Sequence, residues 1–257
     1  MVRRGNMLPR IMVAPNGARR SKVDHPNLPI TIAELVTDAI ACQQAGAKAI
    51  HAHVRDESGR HTLDIGLYRE LMQEMNIAVP DMLVQLTTES AGIYLPSDQR
   101  RILTKLEANS VSVAIREFLA DDELDSASQV YYRALEKGTD IQHILYDRSD
   151  IDLLARMVAA KIIPSTSLQV LLVMGSYFKS PAKLEDLSPF LSYVEKVIPG
   201  TDLAICAFGI QETQILSQTL KIGHKIRVGF ENNLHNFDGQ IAPDNASRVA
   251  EILQFAT

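Results

Sequence analysis

Eight short apolar runs, each followed by a stretch with helical spacing, recur along the chain and constrain its fold more than any other feature. The runs are "RIMVAPN" at 10–16, "AKAIHAHV" at 47–54, "DMLVQLTT" at 81–88 and "NSVSVAI" at 109–115. Four more follow: "DIQHILY" at 140–146, "SLQVLLVM" at 167–174, "DLAICAFG" at 202–209 and "KIRVGFE" at 225–231. Between the first two, Ile32, Leu35, Val36 and Ala39 share one helical face. Thr31 and Glu34 have the spacing of a capping box at its start, and Gly46 stands where that helix must end. Gly138 and Gly223 hold the same place before the fifth and eighth runs. Nearly continuous apolar strands alternating with helices imply a parallel sheet covered by helices. Eight such units in 257 residues match a closed (β/α)8 TIM barrel, expected as a single α/β domain over residues 1–257. An open doubly wound sheet is the alternative, but the segment after the first strand, "APNGARR", has one Gly and no dinucleotide fingerprint.

The apolar fraction of 46% supplies a sizeable core, and the net charge of −5 argues against non-specific nucleic-acid binding, which needs a basic field. A local group of Arg side chains or backbone amides can still hold an anionic ligand. The two cysteines, Cys42 and Cys206, lie in apolar segments and are expected to be reduced packing residues of a cytoplasmic protein. The N-terminal "MVRRGNMLPRIMVAP" has no apolar run long enough for a signal-peptide core. No segment approaches the roughly 20 apolar residues that span a bilayer, so no membrane partner is expected.

A barrel carries its functional groups at the carboxyl ends of its strands. Polar residues gather there: Asn16, then His51 and His53, then Thr87, Thr88 and Glu89, then Arg116, Asp147 and the "RVGFENN" of the eighth strand. Alternation along a strand points His51 and His53 to one face, with Ala52 on the other. Arg227, Gly229 and Glu231 share a face by the same rule, and small Gly229 is expected to leave room below the site. In a closed barrel only the first strand separates the second from the eighth. Two strand spacings, about 10 Å, can be bridged by a histidine and a glutamate from opposite sides. Two imidazoles and a carboxylate make an open site for zinc or a related divalent ion. The alternative is that the histidines are separately hydrogen-bonded barrel residues.

Three segments, "VAPNGARRSKVDHPNLPITIAEL", "AGAKAIHAHVRDESGR" and "IRVGFENNLHNFDGQIAPDNASRV", resemble the β-keto acid cleavage enzymes, in matching order from about residue 11 to the C-terminus. The resemblance implies a (β/α)8 barrel, a homotetramer and one zinc per subunit. It also implies a Claisen-type exchange in which a β-keto acid and acetyl-CoA become acetoacetate and a new acyl-CoA. The family's His-x-His falls on His51 and His53, and its Arg-x-Gly-x-Glu-Asp-Asn on Arg227, Gly229, Glu231, Asn232 and Asn233. The implied ligands are thus His51, His53 and Glu231, the three that strand geometry brings together. By the same likeness Thr87, Ser90 and Ser110 are substrate-contacting hydroxyls, or else strand-end or cap residues, and Asn16 in the matching strand-one segment is expected to bind substrate. Arg227 holds a carboxylate or supports a neighbouring acid, and Arg227, Asn232 and Thr87 are the expected catalytic positions.

Several positions depart from the family pattern. Asn232 stands where the family has Asp, and an amide takes up no proton near neutral pH. If that Asp is the base, this chain lacks it. Thr87-Thr88-Glu89-Ser90 replaces Ser-Thr-Gly-Gly, so Glu89 adds bulk and charge. The loop after strand six, "VMGSYFKSPAK", is not glycine-rich, though Gly175, Ser176 and Lys179 can cradle an anion or form a solvated loop. His143 and Leu145 occupy the place of a strand-five Glu-x-Glu, with His143 expected first as a core residue and otherwise as a substitute base or substrate contact. Arg19 follows "NGA" where a relative acting on an amino-substituted keto acid carries an acid, and it is read either as suiting an anionic or strongly polar substrate tail or as a surface Arg beside Arg20. Two further readings stay open: a metal-dependent hydrolase or aldolase without CoA on the same barrel, and a non-catalytic relative that binds a metabolite.

Overall fold

The computed structural model describes residues 7–166, 168–176 and 180–256. Eight parallel strands close a barrel in sequence order, with β8 hydrogen-bonded back to β1. They are β1 (Ile11–Val13), β2 (Ala49–Ala52), β3 (Leu83–Thr87), β4 (Ser110–Ala114), β5 (Asp140–Leu145), β6 (Gln169–Met174), β7 (Asp202–Ala207) and β8 (Lys225–Val228). Each lies inside one of the eight apolar runs, and the open-sheet alternative is excluded by the closure. The outer layer holds α1 (Ile32–Gln44), α2 (Ile65–Ala78), α3 (Pro96–Lys105), the short α4 (Ile115–Phe118), α5 (Leu124–Lys137), α6 (Arg148–Ala159), α7 (Leu187–Val197), α8 (Glu212–Lys221) and α9 (Asn245–Ala256). No helix among the described residues is long and apolar enough to cross a membrane.

Local chemistry sets the boundaries. Thr31 accepts from the Glu34 amide while the Glu34 carboxylate accepts from the Thr31 amide, the reciprocal cap expected of that pair. Gly138 ends α5 in the left-handed conformation, where any other residue is strained. The outward strand residues and the inner helix faces form the main core, from Leu35 and Ile50 to Leu172 and Val249. Both cysteines are buried and free.

Inside the barrel the packing changes character. A small apolar set, including Met12, Ala49, Leu171, Ala204 and Cys206, packs there as a cluster separate from the main core. Other inward positions are polar: His51, Gln85, Ser110, Ser112, Gln142 and Arg227 are all buried. Gln85 Nε2 donates to Ser110 Oγ at 3.2 Å and to Gln142 Oε1 at 3.1 Å, so a hydrogen-bonded floor crosses β3, β4 and β5. Such groups are costly to bury unpaired, and pairing within the floor offsets that cost and holds the strand ends above it in fixed register.

Candidate metal centre and its cavity

The β2 register sets His51 beside Gln85 on β3. Gln85 spends its amide nitrogen on Ser110 and Gln142, so its Oε1 faces His51 Nδ1 at 2.9 Å. An amide oxygen only accepts, which assigns the proton of His51 to Nδ1 and leaves Nε2 a bare lone pair. That Nε2 lies 3.0 Å from His53 Nε2. Glu231 Oε2 completes a triangle, 3.7 Å from His51 Nε2 and 3.6 Å from His53 Nε2. Ligands held about 2.0–2.1 Å from one tetrahedral ion stand about 3.3 Å apart. The three sides of the triangle bracket that value, so the donor set fits a single divalent cation.

Electrostatics prepares the same state. Burial holds both histidines well below the usual imidazole range, with Arg227 adding to the shift at His51, so both rings are neutral and able to ligate. Burial raises the Glu231 carboxyl while Arg227 opposes it, through Nη2 to Oε1 at 2.8 Å. One carboxylate oxygen thus meets Arg227 and the other faces the imidazoles. Arg227 keeps Nε and Nη1 buried without a hydrogen-bond partner. A guanidinium with unfilled donors beside a cavity has the chemistry to bind a carboxylate or an oxyanion.

Glu231 reaches the triangle by a route the alternation rule does not describe. β8 ends at Val228, and Glu231 projects from the turn that follows. There the Glu231 amide donates to the Ala14 carbonyl, and the Asn232 and Asn233 amides both donate to the Gly229 carbonyl. Gly229 has φ +143, and a Cβ on it would collide with the Ala14 carbonyl. Its smallness serves close approach of β8 to β1, not room beneath the site. The residue that makes room is Gly17, at φ +59, where a Cβ would strike Glu231 Cγ.

A cavity of about 260 Å³ opens over the triangle. Arg19, His51, Thr87, Arg227 and Glu231 line it, and so do Glu89, Arg116, Glu117, Tyr146 and Phe208. Thr87 Oγ1 accepts from the Glu89 amide at 3.0 Å, which leaves its hydroxyl proton for another acceptor. Burial, with Glu231 nearby, pushes the Glu89 carboxyl up to about 7, and its Oε2 lies 3.9 Å from His53 Nε2. Arg116 is committed to Asp147 at 2.5 Å and Asp150 at 2.7 Å.

Asn16, Ser90, Ser110 and Asn232 stand off the cavity wall. Asn16 donates to the backbone of His53 and Pro29 and accepts from the His53 amide, so it clamps the end of β2. Ser110 lies in the floor under Gln85. Ser90 organises its own loop, with its amide on Glu117 at 3.0 Å and its hydroxyl accepting from the Gly92 amide. Asn232 is buried beside the cavity, its amide oxygen and nitrogen both without a hydrogen-bond partner. Gly175 and Ser176 line the cavity, and Lys179 falls outside the described residues. His143 points outward from β5 and stacks on Tyr131 of α5, with ring centroids 5.5 Å apart. It is the core histidine expected first, and the roles of base or substrate contact do not survive. The inward residues of β5 are Gln142 and Ile144. Sequence inspection missed Gln85, Gln142 and His61; the signal for Gln85 was an inward polar residue on the neighbouring strand at the level of His51.

A closed eight-stranded barrel with two imidazoles and a carboxylate meeting at its carboxyl end is a (β/α)8 protein with side chains close enough together to hold one metal ion. Its family is more specific. Residues 10–257 match the family described as beta-keto acid cleavage enzyme, and the chain belongs to it. It is 25% identical over 253 residues to the 3-keto-5-aminohexanoate cleavage enzyme of Acetoanaerobium sticklandii, covering 96% of this chain and 90% of that one. It is 24% identical over 251 residues to the 3-oxoadipate:acetyl-CoA acetyltransferase of Cupriavidus necator, covering 94% and 86%. Among solved structures the apo form of ObcA superposes with a TM-score of 0.67 at 16% identity, over 89% of this chain and 61% of that one. A type I 3-dehydroquinate dehydratase from Clostridium difficile gives 0.62 at 12% identity, over 98% and 95%. At those identities the structural likenesses speak for the barrel alone.

Proposed function

We propose that the chain is a divalent-metal-dependent β-keto acid cleavage enzyme that exchanges acyl groups between a β-keto acid and acetyl-CoA. The observation that carries this reading is the 3.0–3.7 Å triangle of His51 Nε2, His53 Nε2 and Glu231 Oε2 under a cavity. The curated relatives support the substrates, since their names join keto acids with cleavage or acetyl-CoA transfer. Zinc or a related ion held by those three residues supplies Lewis-acid polarisation of the keto oxygen when bound. Arg227 receives the substrate carboxylate or the developing oxyanion with its unfilled donors, and is oriented by Glu231. Thr87 donates its hydroxyl to a substrate oxygen beside the same centre. Arg19, at the mouth, selects an anionic tail. The homotetramer is part of the same proposal.

One observation favours a second reading, catalysis without CoA or binding without turnover: Asn232 has no proton to accept or return. A single experiment separates them. Purified protein is analysed for metal, then incubated with acetyl-CoA and a panel of β-keto acids while CoA esters are followed by mass spectrometry. The expected result is near-stoichiometric zinc or a related ion, and a new acyl-CoA with acetoacetate that vanishes on chelation and returns with the metal. Keto acid cleavage independent of acetyl-CoA, or ligand binding with no product, replaces the first reading by the second.

A further inference from the structure

The loop after β2 returns a third histidine to the site. The Asp56 carboxylate accepts from the Ser58 and Arg60 amides, the Asp56 amide donates to the Arg60 carbonyl at 2.8 Å, and Gly59 turns at φ +77. Arg55 and His61 therefore face each other across an antiparallel bridge. The His61 ring, only 5% exposed, comes to rest with its centroid 5.1 Å from that of His53.

The hydrogen bonds of this ring leave one consistent assignment. His61 Nε2 lies 2.9 Å from the Glu89 carbonyl oxygen, which only accepts, so that nitrogen carries a proton. The ring is almost wholly buried and rests on a carbonyl rather than a carboxylate, so it is neutral and its Nδ1 is a lone pair. That lone pair lies 3.4 Å from His53 Nδ1. Both rings are satisfied when His53 Nδ1 carries its proton and donates it to His61. His53 Nε2 is then bare and faces His51 and Glu231.

We propose that His61 is a positioning residue of the metal centre: braced on the Glu89 carbonyl, it accepts the Nδ1 proton of His53 and holds that ring in the tautomer and orientation that ligate the cation. This rests on the metal reading above. It gives His53 what Gln85 gives His51, a partner on the far side of the ring. It also ties a ligand to the β3–α3 loop, whose Glu89 side chain lines the cavity.

The test compares wild type, His61→Phe and His61→Gln, each stripped of metal and titrated with zinc against a chromophoric chelator. Phe fills the space but accepts nothing, whereas Gln donates to the Glu89 carbonyl and accepts from His53. Outer partners of ligating histidines are commonly worth about 10–100-fold in metal affinity. Phe is expected to weaken zinc binding by that factor and to shift the cobalt(II) absorption spectrum, and Gln to restore both. A folded Phe variant with wild-type affinity and spectrum overturns the proposal. Affinity lost equally in Phe and Gln also overturns it, because packing would then be the cause. Wild-type protein that takes up neither zinc nor cobalt overturns the metal reading itself, a failure visible before any variant is made. Imidazole nitrogen NMR of the metal-free wild type needs no variant: His53 protonated on Nδ1 supports the assignment, and protonation on Nε2 ends it.

Discussion

At the scale of single residues, the cavity sets charge against charge, and this decides which substitutions change specificity rather than fold. Arg116 and Arg227 are engaged by carboxylates of the protein, and Arg19 is exposed at the rim, where its charge acts on Glu89 and His61. Arg19 is an exposed positive charge lining the cavity, placed where a substrate tail would pass. A dicarboxylic keto acid is expected to have a kcat/KM at least about tenfold above that of an amino keto acid of similar length, the order of a good charge-assisted hydrogen bond. Arg19→Glu is expected to reverse that order. An unchanged ratio in competition assays with both substrates would remove Arg19 from recognition. Asn232 is the second such position. Its amide is buried and unpartnered, so Asn232→Asp adds a group able to move a proton without needing new space. A positioned general base is worth about 10²–10⁴ in rate. If the missing acid limits turnover, kcat rises toward that range with KM little changed; if another group already serves, kcat is flat or falls.

At the scale of elements, the strands explain what the sequence made legible and the turns explain what it hid. His51 and His53 were visible because alternation along a strand is a local rule, indifferent to what the rest of the chain does. Glu231 was correctly grouped with them, yet its placement depends on the Gly229–Asn233 turn and on β1 accepting its amide, contacts that join distant segments. His61 was invisible because a hairpin excursion folds it back onto His53, and the turn signal "DESG" does not say which side chain lands where. The polar floor through Gln85 and Gln142 likewise joins side chains of different strands and follows no local pattern. The β8 turn also provides a test. Gly229→Ala puts a Cβ against the Ala14 carbonyl at a backbone angle that L-residues rarely adopt. Strain of this kind costs about 1–3 kcal/mol, with the steric collision added. Urea unfolding should show a loss of at least about 2 kcal/mol, and zinc affinity should drop because Glu231 is carried by the same turn. A variant of normal stability and normal metal binding would show that the turn tolerates a side chain and does not set the ligand.

For the whole molecule, closing the barrel forces polar groups into places where water cannot reach them, and their protonation then belongs to the stability of the fold. Behind the β8 turn, Arg248 and Glu212 form an ion pair at 2.7 Å with both side chains fully buried, joined by Asn233 at 3.1 Å. Removing one partner strands the other charge, so Arg248→Met is expected to cost about 3–5 kcal/mol by urea unfolding. His143 poses the complementary case, a buried group that is neutral. It sits between β5 and α5, against Tyr131 and the Gln169 carbonyl, and burial pushes its pKa down to about 4. Unfolded, the same imidazole binds a proton near 6.5. The unfolded chain therefore holds more protons between those values, and stability falls as the pH drops from about 6.5 toward 4. Between pH 7 and pH 5 this one residue should account for about 2 kcal/mol of lost stability. His143→Phe keeps a ring against Tyr131 and removes the titration. Urea unfolding of metal-free wild type and variant at both pH values isolates the effect, because the three histidines of the site contribute equally to each protein. The variant is expected to lose about 2 kcal/mol less than wild type on acidification. Equal losses would mean that His143 takes up its proton in place, by way of water reaching the gap between β5 and α5.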